Sequence, residues 1–268
     1  MVIEVISKCL GGFYMKNTNL ILAHFSPTGG TKKVADAIAR GFDIPRREVD
    51  LTGAVSDMQM EDGDILMAVL PVYAGRVPGI ALERLSKIRG NGQKAVAVVV
   101  YGNREFDDAL LETKDALEAN GFRVIAAAAF IAEHSIVRSV AAGRPDSEDE
   151  EIAADFRRKI TERLDTMCPV EVPGNRPYAQ HPPTPFHPSA NESCVKCGLC
   201  AGKCPTGAIS PEEPRTCDGD LCNNCLRCVQ VCPLQCRSMP APFMAWITDM
   251  LSKNAAGYKK PVIFLSEK

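Results

Sequence analysis

Eight of the twelve cysteines in this chain fall into two blocks with the same spacing. The blocks run from Cys194 to Cys204 and from Cys222 to Cys232, and each has the order Cys-x2-Cys-x2-Cys-x3-Cys-Pro. Three thiolates separated by two residues each, on a tight loop, can hold three corners of an iron–sulfur cube. The fourth thiolate lies on a short turn that points the other way. The spacing therefore predicts two [4Fe-4S] clusters, each with one ligand from the opposite block.

This doubled pattern resembles that of bacterial-type ferredoxins, and it makes electron transfer the expected function. Zinc sites use four ligands in two pairs, and disulfide frameworks need an oxidising compartment, so neither alternative matches the spacing. The predicted ligands of one cluster are Cys194, Cys197, Cys200 and Cys232, and those of the other are Cys204, Cys222, Cys225 and Cys228. Outside the register, Cys9, Cys168, Cys217 and Cys236 are interpreted as small buried residues or inert thiols.

A second chemical feature is the segment over residues 25–32, Phe-Ser-Pro-Thr-Gly-Gly-Thr-Lys. Its hydroxyls and glycines lead directly into a predicted helix, whose first backbone N–H groups favour an anion. The segment lacks both a Walker sequence and Gly-x-Gly-x-x-Gly, which argues against a nucleoside triphosphate or a dinucleotide. The predicted phosphate-binding residues are Ser26, Thr28, Gly29, Gly30 and Thr31.

This loop resembles the phosphate loop of flavodoxins, whose Ser/Thr-x-Thr-Gly-x-Thr pattern is matched by Ser26, Thr28, Gly29 and Thr31. The resemblance implies FMN, and it implies that the isoalloxazine ring lies between two further loops. In these loops the candidates are Val72, Tyr73, Ala74, Gly75, Tyr101, Gly102, Asn103 and Arg104.

Within these loops, an aromatic ring at Tyr73 would stack on the flavin, and Gly75 would let the backbone approach it. Asn103 would bind the pyrimidine edge. Arg76 or Arg104 either favours a reduced flavin by its positive charge or is simply solvated. His134, after the last predicted strand, is interpreted as a proton shuttle or a structural residue.

The elements that must position these loops alternate between short apolar runs and amphipathic helices. Strands are predicted over 19–25, 48–51, 64–71, 94–101 and 122–130. Helices are predicted over 31–41 and 107–120, and a third begins at a capping box of Ser147 and Glu150. The expected fold is α/β: a flavodoxin-like doubly wound five-stranded parallel sheet, followed by a small α+β ferredoxin domain.

Composition divides the chain further. Seven prolines lie between Pro169 and Pro188, and such a stretch favours an extended spacer. We expect a flavodoxin-like domain over residues 1–167, with 1–15 as a dispensable extension, and a linker over 168–190 that contains His181 and His187. A ferredoxin domain over 191–239 and a carboxy-terminal helix and tail over 240–268 complete the prediction.

The overall balance is 46% hydrophobic and 24% charged residues with a net charge of -2, typical of a globular protein and unlike a nucleic-acid-binding one. No apolar run is long enough to span a membrane, and the first residues lack the features of a signal peptide. Reduced cysteines and oxygen-sensitive clusters favour the cytoplasm of an anaerobe.

The complete arrangement resembles fusions of a flavodoxin with a two-cluster ferredoxin, of the EFR1 type, across roughly residues 19–239. This resemblance implies an electron-transfer flavoprotein with FMN, two [4Fe-4S] clusters and a redox protein as partner. Two alternatives stay open: a flavin-dependent reductase of NAD(P)H or a quinone, and a redox sensor with structural clusters. The spacer also leaves open whether a cluster meets the flavin within one chain or across a homodimer.

Overall fold

The structure is a computed structural model that describes residues 18–166, 168–180 and 184–267. The predicted extension over residues 1–15, Cys9 and His181 lie outside the described residues. Strands and helices alternate as far as residue 161, and the cysteine blocks follow in a segment with much shorter elements. We call residues 191–239 the cysteine segment and the preceding α/β part the sheet domain.

The described residues contain ten strands and seven helices. None of these helices has both the length and the apolar character needed to cross a membrane. The strands are β1 (Leu20–His24), β2 (Arg46–Asp50), β3 (Met58–Gln59), β4 (Ile65–Pro71), β5 (Ile88–Arg89), β6 (Lys94–Tyr101), β7 (Arg123–Ile131), β8 (Ser189–Ala190), β9 (Arg237–Ser238) and β10 (Val262–Leu265). The helices are α1 (Gly30–Ala39), α2 (Gly79–Leu85), α3 (Ala109–Ala119), α4 (Ser147–Thr161), α5 (Leu199–Gly202), α6 (Arg227–Gln230) and α7 (Ala241–Asn254).

Six strands form the main sheet, in the order β10-β7-β6-β4-β1-β2. The five strands from β7 to β2 are parallel to one another. Read across the sheet from β2 to β7, these five strands are the second, first, third, fourth and fifth along the chain. This is the flavodoxin-like order. The predicted doubly wound parallel sheet is thus confirmed.

Helices cover both faces of this sheet, which explains why its central strands are continuously apolar. α1 and α4 pack on one face around Val34, Ile38 and Phe156. α2 and α3 pack on the other through Leu85 and Leu110. β1 and β4 are buried at every position, because a strand covered on both faces has no solvent side.

The start of α4 differs from the prediction. The predicted capping box of Ser147 and Glu150 is wrong, because the cap lies one residue earlier. The Asp146 carboxylate accepts the amide hydrogen of Asp149 at 3.1 Å, and the Asp149 carboxylate accepts that of Asp146 at 2.9 Å. Asp146 has an extended backbone, which lets its short side chain fold back onto the first turn.

The proline-rich stretch is bound along α3 of the sheet domain. The carboxylate of Asp108, just before α3, accepts hydrogen bonds from the amides of Asn175 at 2.8 Å and Ala179 at 2.7 Å. The Arg76 guanidinium lies 4.7 Å from the centre of the Tyr178 ring. These contacts hold the extended segment against the sheet domain, and we call its residues 175–179 the strap.

The tail returns from the cysteine segment to the main sheet. β10 pairs antiparallel with β7, residues 262–265 lying against 126–129. The Asn103 side-chain amide donates to the carbonyls of Ala255 at 2.7 Å and Gly257 at 2.9 Å. The sequence does not predict this sixth strand, because four apolar residues near the end of a chain carry little periodicity.

Asp149→Asn should destabilise the protein far more than Asp155→Asn, although both residues lie in α4. Asp149 is 1% exposed and pairs with Arg144, which is 5% exposed, whereas Asp155 pairs with the exposed Arg158. Removal of one charge from a buried pair leaves its partner uncompensated, so we expect a loss of about 3 kcal/mol at Asp149 and below about 1 kcal/mol at Asp155. Urea denaturation followed by circular dichroism measures both, and equal losses would contradict the prediction.

Candidate functional site

The loop between β1 and α1 forms a cradle of backbone amides. Gly29 has a φ of +91°, a left-handed conformation that turns the chain into the helix without the strain of a side chain. The Ser26 hydroxyl accepts the amide hydrogen of Lys32 at 2.9 Å. The amides of Gly30 and Thr31, in the first turn, have no partner within the helix, so they are available to an anion.

Four loops at the carboxyl ends of β1, β4, β6 and β7 enclose one cleft beside this cradle. Parallel strands bring these ends to one edge of the sheet, which is where ligands of doubly wound folds bind. Seven of the predicted cofactor residues line the cleft: Thr28, Gly30, Thr31, Val72, Tyr73, Tyr101 and Gly102.

Other predicted residues shape the loops rather than line the cleft. Ala74 and Gly75 have φ values of 49° and 84° and form a tight turn, closed by hydrogen bonds between the backbones of Tyr73 and Arg76. A Cβ atom on Gly75 would lie 2.3 Å from the carboxylate of Asp107. The glycine is therefore needed for close packing of the turn.

The polar side chains predicted to face the flavin have protein partners. The Asn103 amide nitrogen is bound to the tail carbonyls. Arg104 forms an ion pair with Asp107, and Arg76 forms one with Glu112 at 2.5 Å. None of these three residues lines the cleft.

His134 borders the cleft on the β7 side. Its Nδ1 accepts the amide hydrogens of Ile136 at 3.2 Å and Val137 at 3.1 Å, so the proton of the neutral ring lies on Nε2. Burial lowers the pKa of His134 to about 4, which keeps the ring neutral near pH 7. A Cβ atom on Gly102 would lie 2.3 Å from Cδ2 of this ring, so glycine allows the close approach.

The eight block cysteines line two separate cavities. Within the described part of the chain, no three His, Cys, Asp or Glu side chains converge to hold a single metal ion. One cavity is lined by the Cys194 set, which comprises Cys194, Cys197, Cys200 and Cys232. The other is lined by the Cys222 set, which comprises Cys204, Cys222, Cys225 and Cys228. Each cavity thus joins three cysteines of one block to the last cysteine of the other.

The thiols of the Cys222 set are strongly affected by burial. Burial raises the pKa of Cys225 to about 12 and that of Cys222 to about 11, and it also raises the pKa of Cys228. These thiols are protonated at neutral pH in the metal-free chain. A metal held by these cysteines would require thiolates, so its binding would release their protons.

Two further cysteines lie beside the sets. The Sγ atoms of Cys236 and Cys232 are 3.5 Å apart. This contact raises the pKa of Cys236 to about 11. Burial acts to raise the pKa of Cys232, but hydrogen bonds from the amide and thiol of Cys236 outweigh it, so the pKa of Cys232 lies below its usual value. Cys217 lines the cavity of the Cys222 set, where its Sγ lies 3.4 Å from the Pro188 carbonyl. The block spacing gives no signal for either contact.

The cysteine segment packs against the loops that form the cleft. The Gln230 side-chain amide, in α6, donates to the carbonyl of Thr28 at 3.2 Å. Leu226 is buried in an apolar cluster with Val137 of the sheet domain and Ile247 of α7. These contacts join residues far apart in sequence, so the motifs could not predict them.

Comparison with known proteins gives matches for the cysteine segment. Residues 191–210 match the family model of the 4Fe-4S binding domain. The chain is 34% identical over 71 residues to ferredoxin Fdx2 of Sorangium cellulosum, a match covering 24% of this chain and 69% of that protein. It is 50% identical over 44 residues to the polyferredoxin protein MvhB of Methanothermus fervidus, covering 16% of this chain. The chain spans about a tenth of the length of that polyferredoxin.

Among solved structures, the sheet domain is similar to a flavodoxin of Streptococcus pneumonia. That match has a TM-score of 0.39 and 17% sequence identity, and it covers 55% of this chain and 99% of the flavodoxin.

The burial of His134 predicts a measurable acid sensitivity. Between pH 6.5 and pH 4 this imidazole takes up a proton in the unfolded chain but stays neutral in the folded chain. Protonation therefore favours the unfolded chain, and the free energy of unfolding falls as the pH falls through this range. In His134→Gln this contribution should be absent. Urea denaturation at pH 7, 6 and 5 should show a steeper loss of stability in the wild type. Parallel pH profiles would contradict the prediction.

Proposed function

Because this chain belongs to the ferredoxin family through its cysteine segment, we propose that it is an electron-transfer flavoprotein that holds two [4Fe-4S] clusters and FMN. One observation carries the proposal: the cysteine segment packs against the sheet-domain cleft within the same chain, with Gln230 bonded to Thr28. The sites for an inorganic and an organic redox group are therefore side by side.

In this proposal, one cluster is held by the Cys194 set and the other by the Cys222 set. A [4Fe-4S] cluster transfers single electrons at a potential set by burial and by hydrogen bonds to sulfur. Cys225 and Cys228, which are buried, exclude water from their side of the cavity. With Cys232 bound to a cluster as a thiolate, the Cys236 thiol 3.5 Å away would donate to it and so contribute to the potential of that cluster.

The cleft residues fit FMN. The glycine cradle supplies the amides of Gly30 and Thr31 for a phosphate, as the resemblance to flavodoxins implies. Tyr73 and Tyr101 supply aromatic walls, and the neutral His134 presents Nε2–H as a donor. Bound FMN accepts one or two electrons, which lets the chain link one-electron and two-electron partners.

The contacts of the cleft favour this function over a reductase of NAD(P)H or a quinone. A reductase needs an open face beside Tyr73 and Asn103. The Asn103 amide nitrogen is instead occupied by the tail, and Gln230 reaches across to the cradle. Both contacts favour electron exchange inside the chain.

The decisive experiment is light-driven reduction of the flavin in anaerobically purified protein. We expect cluster absorbance and electron paramagnetic resonance signals to change in step with flavin reduction, because the two sites adjoin. A protein that turns over NADH, NADPH or a quinone at the flavin, with clusters that stay oxidised, would instead be a reductase. Clusters that never exchange electrons with the flavin would identify a structural or sensing role.

Cys197→Ser should lower the iron content from about eight to about four atoms per chain, because it removes a ligand of one cluster only. Cys168→Ser is the matched control, since Cys168 is also an exposed thiol but lies outside both sets. Iron and sulfide analysis after anaerobic purification measures both variants. An unchanged iron content in Cys197→Ser would disprove the ligand assignment.

A further inference from the structure

The two cysteine sets have different surroundings. Cys225 and Cys228 of the Cys222 set are 7% and 8% exposed, whereas Cys197 of the Cys194 set lies at the surface. The cavity of the Cys194 set is bordered by exposed apolar side chains, with Val195 70% and Leu234 50% exposed. The other cysteines of both sets are partly exposed. The Cys194 set is therefore the more exposed of the two, and the Cys222 set is the more enclosed.

The enclosed set is also the one that meets the sheet domain. The Arg84 guanidinium donates to the carbonyl of Pro205 at 2.5 Å and to that of Thr52 at 2.7 Å, which anchors the residue after Cys204. Burial, together with the nearby Cys225 thiol, raises the pKa of Tyr73 at the cleft. Tyr73 lines the cleft and lies near Cys225.

Residues 191–203, which carry three of the four cysteines of the Cys194 set, have no comparable anchor. The fourth cysteine, Cys232, lies two residues from Gln230, which bonds to Thr28. The hydrogen bonds made by the described residues 191–203 all stay within the cysteine segment and its flanking loops. The asymmetry is notable because the two blocks have the same spacing. Sequence alone makes the two sets equivalent, and the fold makes them different.

We infer that the Cys222 set serves the flavin cleft, whereas the Cys194 set is the outward side at which the chain exchanges electrons with an external one-electron redox protein. This inference rests on the proposed function and adds a direction to it. Electron transfer slows steeply with distance, so the Cys222 set, which Arg84 anchors to the sheet domain next to Cys204, suits exchange with the cleft. The exposed set can be approached closely by another molecule.

Iron release to bathophenanthroline disulfonate tests the accessibility without a redox assay. The wild type should lose about four iron atoms quickly and about four slowly, since it has one exposed and one enclosed cluster. Cys197→Ser should retain only the slow phase and Cys225→Ser only the fast phase. The reverse assignment, or a single phase in the wild type, would overturn the inference.

The same two variants separate this inference from the proposed function. After light-driven flavin reduction, Cys197→Ser should still show reduction of its remaining cluster, and Cys225→Ser should show none. If the wild type itself shows no exchange, the proposed function fails. If the wild type exchanges but only Cys225→Ser retains exchange, the function stands and the inference is wrong.

A second pair of variants keeps all eight ligands, in case Cys225→Ser does not fold. Val195→Glu adds a negative charge beside Cys194, and Leu221→Glu adds one beside Cys222, at a residue 50% exposed. Reduction by dithionite, which is anionic, should slow about threefold or more in Val195→Glu and by less than about twofold in Leu221→Glu. Equal effects, or a larger effect at Leu221, would count against the inference.

Discussion

The pairing of β10 with β7 is the contact on which the arrangement of this protein depends. The chain leaves the sheet domain along α3, where Asp108 binds the strap, and comes back as an edge strand of the same sheet. The cysteine segment is therefore held at both ends. A segment of about fifty residues with two cysteine-lined cavities has little core of its own. Its position over the cleft follows from these two attachments as much as from its own packing.

Burial shifts pKa values in opposite directions at the two neighbouring sites, and in both it favours the uncharged form. At the cleft it keeps His134 neutral, so the ring offers a hydrogen-bond donor without a charge. In the Cys222 set it keeps the thiols protonated at neutral pH, so any metal held there would have to displace their protons. The same low-dielectric surroundings thus favour an uncharged donor beside the cleft and a strong coupling between metal loading and proton release.

Local patterns predicted most of what the sheet domain contains. The strands over 64–71 and 94–101 were predicted within a residue of their observed ends, because buried parallel strands are short apolar runs bounded by polar loops. The amide cradle at Gly29 and Gly30 also follows from adjacent residues. The spacing of the cysteines likewise predicted which thiols share a cavity.

Apart from the cap of α4, which lies one residue before its predicted position, the details that the sequence did not predict involve residues distant in the chain. Asn103 was expected at the flavin, yet its amide nitrogen binds carbonyls about 150 positions further on, at Ala255 and Gly257. Gln230 belongs to no recognisable sequence motif. It binds the Thr28 carbonyl only because the fold brings the two residues together. Turn chemistry and metal-ligand spacing are encoded locally, whereas the docking of one segment on another depends on the completed sheet.

Insertion of the cysteine segment between the fifth and sixth strands of one sheet has a mechanical consequence. A single break in the proline-rich strap would not release that segment, since β10 would still tether it to β7. Loosening of the edge strand would free Asn103 and the tail together, but the strap and the bonds of Gln230 and Arg84 would still hold the segment. Separation of the cysteine segment from the cleft therefore requires several attachments to break at once.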